Sequence, residues 1–207
     1  MVRSKFTISR VAILQKPYSQ ACENNKGPIL RELTRVFGKC KNVLEIGSGT
    51  GQHAVYFAAS LAHLTWHTSD QTCNHDGINR WITDSPANNL QRPISLTIGQ
   101  DPWPELDIDG VFSANTAHIM QPNEAKLMMQ MIAENLPNNG IFCQYGPFKF
   151  EGQYTSESNA AFDQHLLSEG CGGIRDIADL EIWAKPLQLQ NVIAMPANNF
   201  VLIWQKH

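Results

Sequence analysis

The sequence predicts an α/β fold, an open and mostly parallel sheet with helices on both faces. Two observations carry that expectation. Val43 to Ile46 is a short apolar run that reads as a buried strand. It is followed by the glycine-rich turn Gly47-Ser48-Gly49-Thr50-Gly51 and by a helix-forming stretch, Gln52 to Ser60. Strand, tight turn and helix in that order open a sheet of this class. The second observation is that short apolar runs and helix-periodic segments keep alternating along the chain. At 207 residues the chain suits one well-filled domain, taken as 19–207 with an N-terminal arm over 1–18.

Before the central strand, Pro28 to Phe37 reads as a helix with Pro28 in the first position and Gly38 ending it. The loop ahead of it, Ser19 to Lys26, either lies over a ligand or is only a lead-in. After the glycine turn, Leu64 to Thr68 is the second strand, closed by Asp70. Ile78, Trp81 and Ile82 share a helical face, and Ile94 to Ile98 alternates as a third strand. Asp109 to Ala114 is the fourth, Pro122 to Leu136 a helix, and Ile141 to Tyr145 the fifth strand. Thr155 to Ser168 suits a helix, and Asp176 caps another that runs to Lys185. Leu187 to Ala194 and Phe200 to Trp204 complete a count of seven strands.

Composition excludes several function classes. Hydrophobic residues make up 43%, charged ones 17%, and the net charge is −3, with no basic stripe. Neither nucleic acid nor a membrane is therefore expected as the main partner. Val11-Ala12-Ile13-Leu14 is too short an apolar core for a secretory signal. The five cysteines are odd in number and widely spaced, which reads as reduced thiols in a cytoplasmic protein. His63 and His67 flank a strand and do not share a face, so no metal site is expected.

The glycine turn narrows the ligand. A dinucleotide fingerprint needs a third glycine at position 52, where Gln52 stands. The pattern present, Glu45-x-Gly47-x-Gly49-x-Gly51, resembles motif I of class I S-adenosylmethionine-dependent methyltransferases. Asp70, at the end of the second strand, is placed to accept hydrogen bonds from ribose hydroxyls. The chain also resembles a more specific group, methyltransferase-like proteins of unsettled substrate that carry a Leu-Glu-Ile-x-Ser-Gly-Thr-Gly-Gln-His-Ala signature. The matching pieces include Leu44 to Phe57, Ala114 to Ile119, Tyr145 to Phe148, Gly173 to Asp176 and Met195 to Asn199. The sequence departs from that group at Leu96-Thr97-Ile98, where it tends to have Leu-Asp-Val, and at Gly47, where alanine is frequent.

The resemblance implies a Rossmann-like class I methyltransferase fold, with an antiparallel last strand, and S-adenosylmethionine as the cofactor. Glu45, Gly47, Ser48, Gly49, Gly51, Gln52, Asp70, Asp101 and Asn115 are the expected cofactor residues. Of these, Asp101 is the candidate for the adenine amino group, and Gln52 marks the helix N-terminus where the methionine carboxylate would lie. His118, just past the fourth strand, is the candidate catalytic base, its alternative role being to hydrogen-bond and hold the loop. Tyr145, Phe148, Asn159, Arg175 and Asn199 are the expected acceptor residues, with Trp103 and Tyr18 as further aromatic walls. Arg175 either grips an anionic acceptor or pairs with Asp163 or Asp176. Asn115-Thr116-Ala117-His118 lacks the Asp/Asn-Pro-Pro-aromatic run of base amino-methylating enzymes, so the expected partner is a small-molecule acceptor, methylated at oxygen or sulfur. A non-catalytic S-adenosylmethionine-binding sensor or partner subunit is the competing expectation. The sequence carries no signal for the oligomeric state.

Overall fold

The computed structural model describes residues 15–207. Seven strands form one sheet in the order β3-β2-β1-β4-β5-β10-β9. They are β1 (Asn42–Ile46), β2 (Thr65–Asp70), β3 (Leu90–Ser95), β4 (Gly110–Ala114), β5 (Ile141–Gly146), β9 (Gln188–Met195) and β10 (Asn199–Gln205). Pairs β1–β2, β1–β4, β2–β3 and β4–β5 are parallel, and β10 runs antiparallel to both β5 and β9. The seven-stranded, mostly parallel sheet with an antiparallel last strand is thus as expected.

Successive residues of each central strand point to opposite faces, and each face has its own core. Val43, Phe112, Cys143 and Val201 pack under α1 (Gln20–Val36) and α2 (Gln52–Ser60), where Phe57 meets Phe112 edge-on and Trp66 lies tilted against both. Leu44, Val111, Phe142 and Leu202 face the other way, against Met128 and Ile132 of α4 (Pro122–Asn135) and Leu180 of α6 (Ile177–Trp183). The strand order reverses between β1 and β4. A ligand crevice forms outside the carboxyl ends of parallel strands at such a reversal.

Three local readings change. α1 begins at Gln20, eight residues ahead of Pro28, which sits inside the helix. The Ser19 side chain caps it by accepting the Cys22 amide, and ties from Gln52 and His53, which open the helix after the glycine turn, to Ser19, Glu23 and Asn25 hold its start despite the proline. β3 starts at Leu90 and includes Pro93. It is an edge strand, where the missing proline N–H leaves no interior ladder bond unmade. A second, three-stranded sheet was not foreseen: β7 (Gln153–Tyr154), β6 (Phe148–Phe150) and β8 (Arg175–Asp176). Strands of two or three residues have too few positions to show a period.

Residues 1–14 of the expected arm lie outside the described residues. Residues 16–18 run along α3 (His75–Thr83): Lys16 pairs with Asp84, and the Pro17 carbonyl accepts the Trp81 indole N–H at 2.7 Å. Among the described residues, no helix is long and apolar enough to cross a membrane.

Candidate functional site

The glycine turn needs each glycine for a different reason. Gly47, Gly49 and Gly51 all have positive φ, which a side chain disfavours. A Cβ on Gly47 would fall 2.7 Å from Thr116 Oγ1, and one on Gly51 would fall 3.0 Å from Ile78 Cα. These two glycines let the loop after β4 and helix α3 approach the turn. Around Gly49 a Cβ would meet nothing within 4 Å, because that residue faces open cavity. The amides of Gly47 and Ser48 both donate to Ser69 O, which hangs the turn on the end of β2.

Two cavities open at the reversal point. One, of about 370 Å³, is lined by Asp70, Gln71 and Asn74 on one side and by Leu96, Ile98 and Met120 on the other. The second, of about 640 Å³, lies between the first turns of α1, the loop after β4, α5 (Glu157–Ser168) and the β9–β10 turn. Gly47, Gly49, Ala114, Asn115 and Ile119 line both, so the cavities meet over the glycine turn.

Asp70 lines the smaller cavity, as expected. One carboxylate oxygen accepts the Gly49 amide at 2.7 Å, and the other accepts the Gln71 amide at 2.7 Å and Asn74 Nδ2 at 2.8 Å. Of about four acceptor positions on a carboxylate, roughly one therefore remains, not the two that a pair of ribose hydroxyls would fill. Asn115, which borders both cavities, takes φ 57°, a left-handed conformation that asparagine tolerates better than most side chains.

His118 lines the larger cavity and is 6% exposed. No side chain among the described residues hydrogen-bonds its ring, and Phe162 meets it edge-on at 5.5 Å. Burial, then the nearby Arg175 charge, pushes its pKa down to about 4, against the opposing pull of Asp163. The imidazole is therefore neutral at physiological pH. Its loop is pinned from outside, where the Gly173 amide donates to His118 O at 3.0 Å. Gly172 is packed so close that a Cβ would sit 1.9 Å from Met120 O.

Tyr145, Asn159 and Asn199 also line the larger cavity, and Ser48 borders it beside the turn. Other expected residues lie elsewhere. Glu45 is 2% exposed and faces inward, accepting Ser48 Oγ at 2.9 Å and Trp66 Nε1 at 3.1 Å. Burial pushes its carboxyl up to about 7, so it braces the turn and does not reach a ligand. Gln52 reaches α1 instead of the cavity: Nε2 donates to Glu23 Oε1 at 2.8 Å, and Oε1 accepts the Ser19 amide at 2.6 Å. Gly51 packs against α3 and borders neither cavity.

Asp101 is a turn residue. It accepts the Thr97 amide at 2.8 Å and Ser95 Oγ at 3.1 Å, and these bonds hold its carboxyl below the usual range. Phe148 is buried in the core beneath β5, and Trp103 packs on the same core. Tyr18 points to solvent. Arg175 is 7% exposed and borders neither cavity, and neither expected carboxylate pairs with it. Lys149 occupies Asp163 at 3.0 Å, Asp176 caps α6, and Arg175 Nε donates to Gly173 O at 3.0 Å.

Sequence reasoning missed His53 and Asn25. Both line the larger cavity, with His53 Nε2 2.7 Å from Asn25 Oδ1, and His53 stacks on Phe57. Burial pushes the His53 pKa down to about 4. The available signal was position: His53 stands in the first turn of the helix that follows the glycines. Among the described residues no cluster of metal-ligating side chains occurs.

The fold is shared with solved methyltransferases. The chain superposes on the S-adenosylmethionine-dependent methyltransferase SibL in its apo form with TM-score 0.73 at 18% identity, covering 90% of this chain and 55% of that one. Human N-acetylserotonin methyltransferase in complex with SAM gives TM-score 0.74 at 12% identity, with 90% and 53% covered. An O-methyltransferase family protein from Burkholderia thailandensis gives 0.71 at 14%, with 90% and 57% covered. The chain thus spans a little over half the length of these structures, and at such identities the likeness concerns the fold. The family model described as protein of unknown function, DUF938, matches residues 16–206, and the chain belongs to that family.

Proposed function

We propose that this protein is an S-adenosylmethionine-dependent methyltransferase that acts on a small molecule at oxygen or sulfur. The observation that carries the reading is the meeting of two cavities over Gly47 and Gly49, with Asp70 in one and His118 in the other. The residues fit the cofactor: Gly49 has no Cβ to fill the junction, Asp70 offers a carboxylate to a ribose hydroxyl, and Leu96 and Ile98 offer an apolar slot for a base. The names of the matched structures, which include SAM-bound and O-methyltransferase proteins, support the same reading.

S-adenosylmethionine, when bound, supplies an electrophilic methyl group on a sulfonium. The protein's contribution is alignment and exclusion of water, which can account for much of the rate of such a displacement. Tyr145 and Phe162 present aromatic surface to the larger cavity, and aromatic faces favour a cation. His118, neutral and without a hydrogen-bonding side-chain partner among the described residues, accepts a hydrogen bond from the acceptor hydroxyl or thiol and so orients it; because burial and Arg175 make the ring a weak base, it takes the proton only as the methyl bond forms and that proton becomes strongly acidic.

A sensor without catalysis would be favoured by a blocked acceptor pocket, and the larger cavity is about 640 Å³. The test is a mass-spectrometric screen of small hydroxyl and thiol compounds with trideuteromethyl-labelled S-adenosylmethionine. Label should appear on an acceptor with the wild-type chain and not with His118→Asn. Bound donor with no labelled product from any hydroxyl or thiol would count for the sensor.

A further inference from the structure

One wall of the larger cavity is made by the first turns of α1, from which Ser19, Ala21, Cys22, Asn24 and Asn25 line it. The segment 18–27 that carries them is anchored at both ends. Ahead of it Pro17 docks on α3, where its carbonyl holds the Trp81 indole N–H. Behind it Ile29 and Leu33 are fully buried in the core. Between these anchors no apolar side chain is buried, and Asn25 is the buried residue of the first two turns.

What holds the segment down is therefore polar. The Ser19 amide donates to Gln52 Oε1 at 2.6 Å, and Gln52 Nε2 donates to Glu23 Oε1 at 2.8 Å. His53 Nε2 lies 2.7 Å from Asn25 Oδ1, and Lys26 sits 4.9 Å over the Tyr56 ring. Gln52 borders neither cavity, so its side chain joins two helices and does not meet a ligand. The far end of the segment is weak for a covalent reason. Pro28 has no N–H, so the Asn24 carbonyl lacks its helical donor, and the proline ring crowds that carbonyl. Gly27 precedes it, and a Cβ there would meet nothing within 4 Å, so packing does not require the glycine. Its effect is on the backbone: a helix interior unwinds about fivefold more readily at glycine than at alanine.

Polar ties, few buried contacts and a Gly-Pro break mark a segment that opens locally while the rest of the fold stays intact. We infer that residues 18–27 are a strap that unwinds to admit a ligand to the larger cavity and rewinds over it, with Gln52 as the latch and Gly27-Pro28 as the break point. Unwinding removes the wall made by Ser19, Cys22 and Asn25 and opens a way to Ser48, Gly49 and Thr50, which line the same cavity. The inference rests on the methyltransferase reading only for the identity of the ligand.

Hydrogen–deuterium exchange of the full chain tests the strap, and stopped-flow binding of S-adenosylhomocysteine tests what it admits. In the free wild-type chain the amides of 24–27 should exchange at least about tenfold faster than those of 30–34 in the same helix. Gln52→Ala should speed exchange at 24–27 by about tenfold, the effect of losing its hydrogen bonds, and leave 30–34 unchanged. The same variant should speed both association and dissociation of S-adenosylhomocysteine. Gly27→Ala should slow exchange and both rates by about fivefold. Equal exchange in the two parts of α1, exchange at 24–27 unmoved by Gln52→Ala, or ligand rates unchanged in both variants would each overturn the inference. Should S-adenosylhomocysteine not bind at all, the methyltransferase reading falls, and the two exchange comparisons alone decide for or against the strap.

Discussion

Asp70, the last residue of β2, accepts the Gly49 amide at 2.7 Å, which ties the carboxyl end of one strand to the turn that follows its neighbour. The same carboxylate faces the smaller cavity, so one side chain both shapes the glycine turn and presents its remaining lone pair to a ligand.

Replacing Asp70 by Ala should therefore weaken S-adenosylhomocysteine binding by about 1.5–3 kcal/mol, the range for a charged hydrogen-bond acceptor. Calorimetric titration measures it, with circular dichroism as the check on folding. A folded variant with unchanged affinity would remove Asp70 from the site.

His53 and His118 should stay neutral across the physiological range, because both are buried and titrate only near 4. In an NMR titration the C2 protons of these two rings should not shift between roughly pH 8 and 6, while an exposed histidine moves near about 6.5. A mid-point near 6.5 for His118 would contradict the electrostatic account of its pocket.

Stability should depend on pH with two opposed signs. His53 and His118 have folded pKa values of about 4, below their ordinary 6.5, so between those limits the unfolded chain binds more protons. Their effect is full above 6.5 and is lost as pH falls toward 4. Glu45 is raised from 4.5 to about 7, so its protonated form favours the fold, fully below 4.5, and that contribution is lost as pH rises through 7. Where the limbs overlap the two histidines outweigh the one glutamate, so the melting temperature should peak near 6.5 and fall as pH rises through about 7, and Glu45→Gln should flatten that fall. A fall of unchanged slope in that variant would mean that another group causes it.

Gly172→Ala should destabilise the fold by about 1–3 kcal/mol, as overpacking does, because the new methyl would meet Met120 O at 1.9 Å. Urea denaturation gives the number. A midpoint equal to wild type would show that the loop carrying His118 can give way without strain.

What the sequence made legible was local. α2 falls where it was expected, Gln52 to Ser60, because the glycine turn and the apolar pattern fix both ends within one short stretch. Asp70, Asn115 and His118 could be placed at the crevice from the sequence because they stand at or just after strand ends, and a parallel sheet collects its strand ends at one crevice. Misplaced residues depended on non-local partners. Phe148 reads identically as a cavity wall or as core until β6 is seen to turn it inward. Arg175 lost Asp163 to Lys149, which spacing cannot reveal, and Asp176 to the α6 cap, a role the sequence itself had offered for that residue. Likewise the start of α1 rests on Gln52, far along the chain, which overrode the local signal of Pro28.

The central claim is tested most directly by calorimetric titration of the purified protein with S-adenosylhomocysteine, with NAD run in parallel. Micromolar binding of S-adenosylhomocysteine and none of NAD is the expected result. Binding of NAD, or no binding of S-adenosylhomocysteine, would contradict the account and leave the glycine turn as a purely structural joint between β1 and α2.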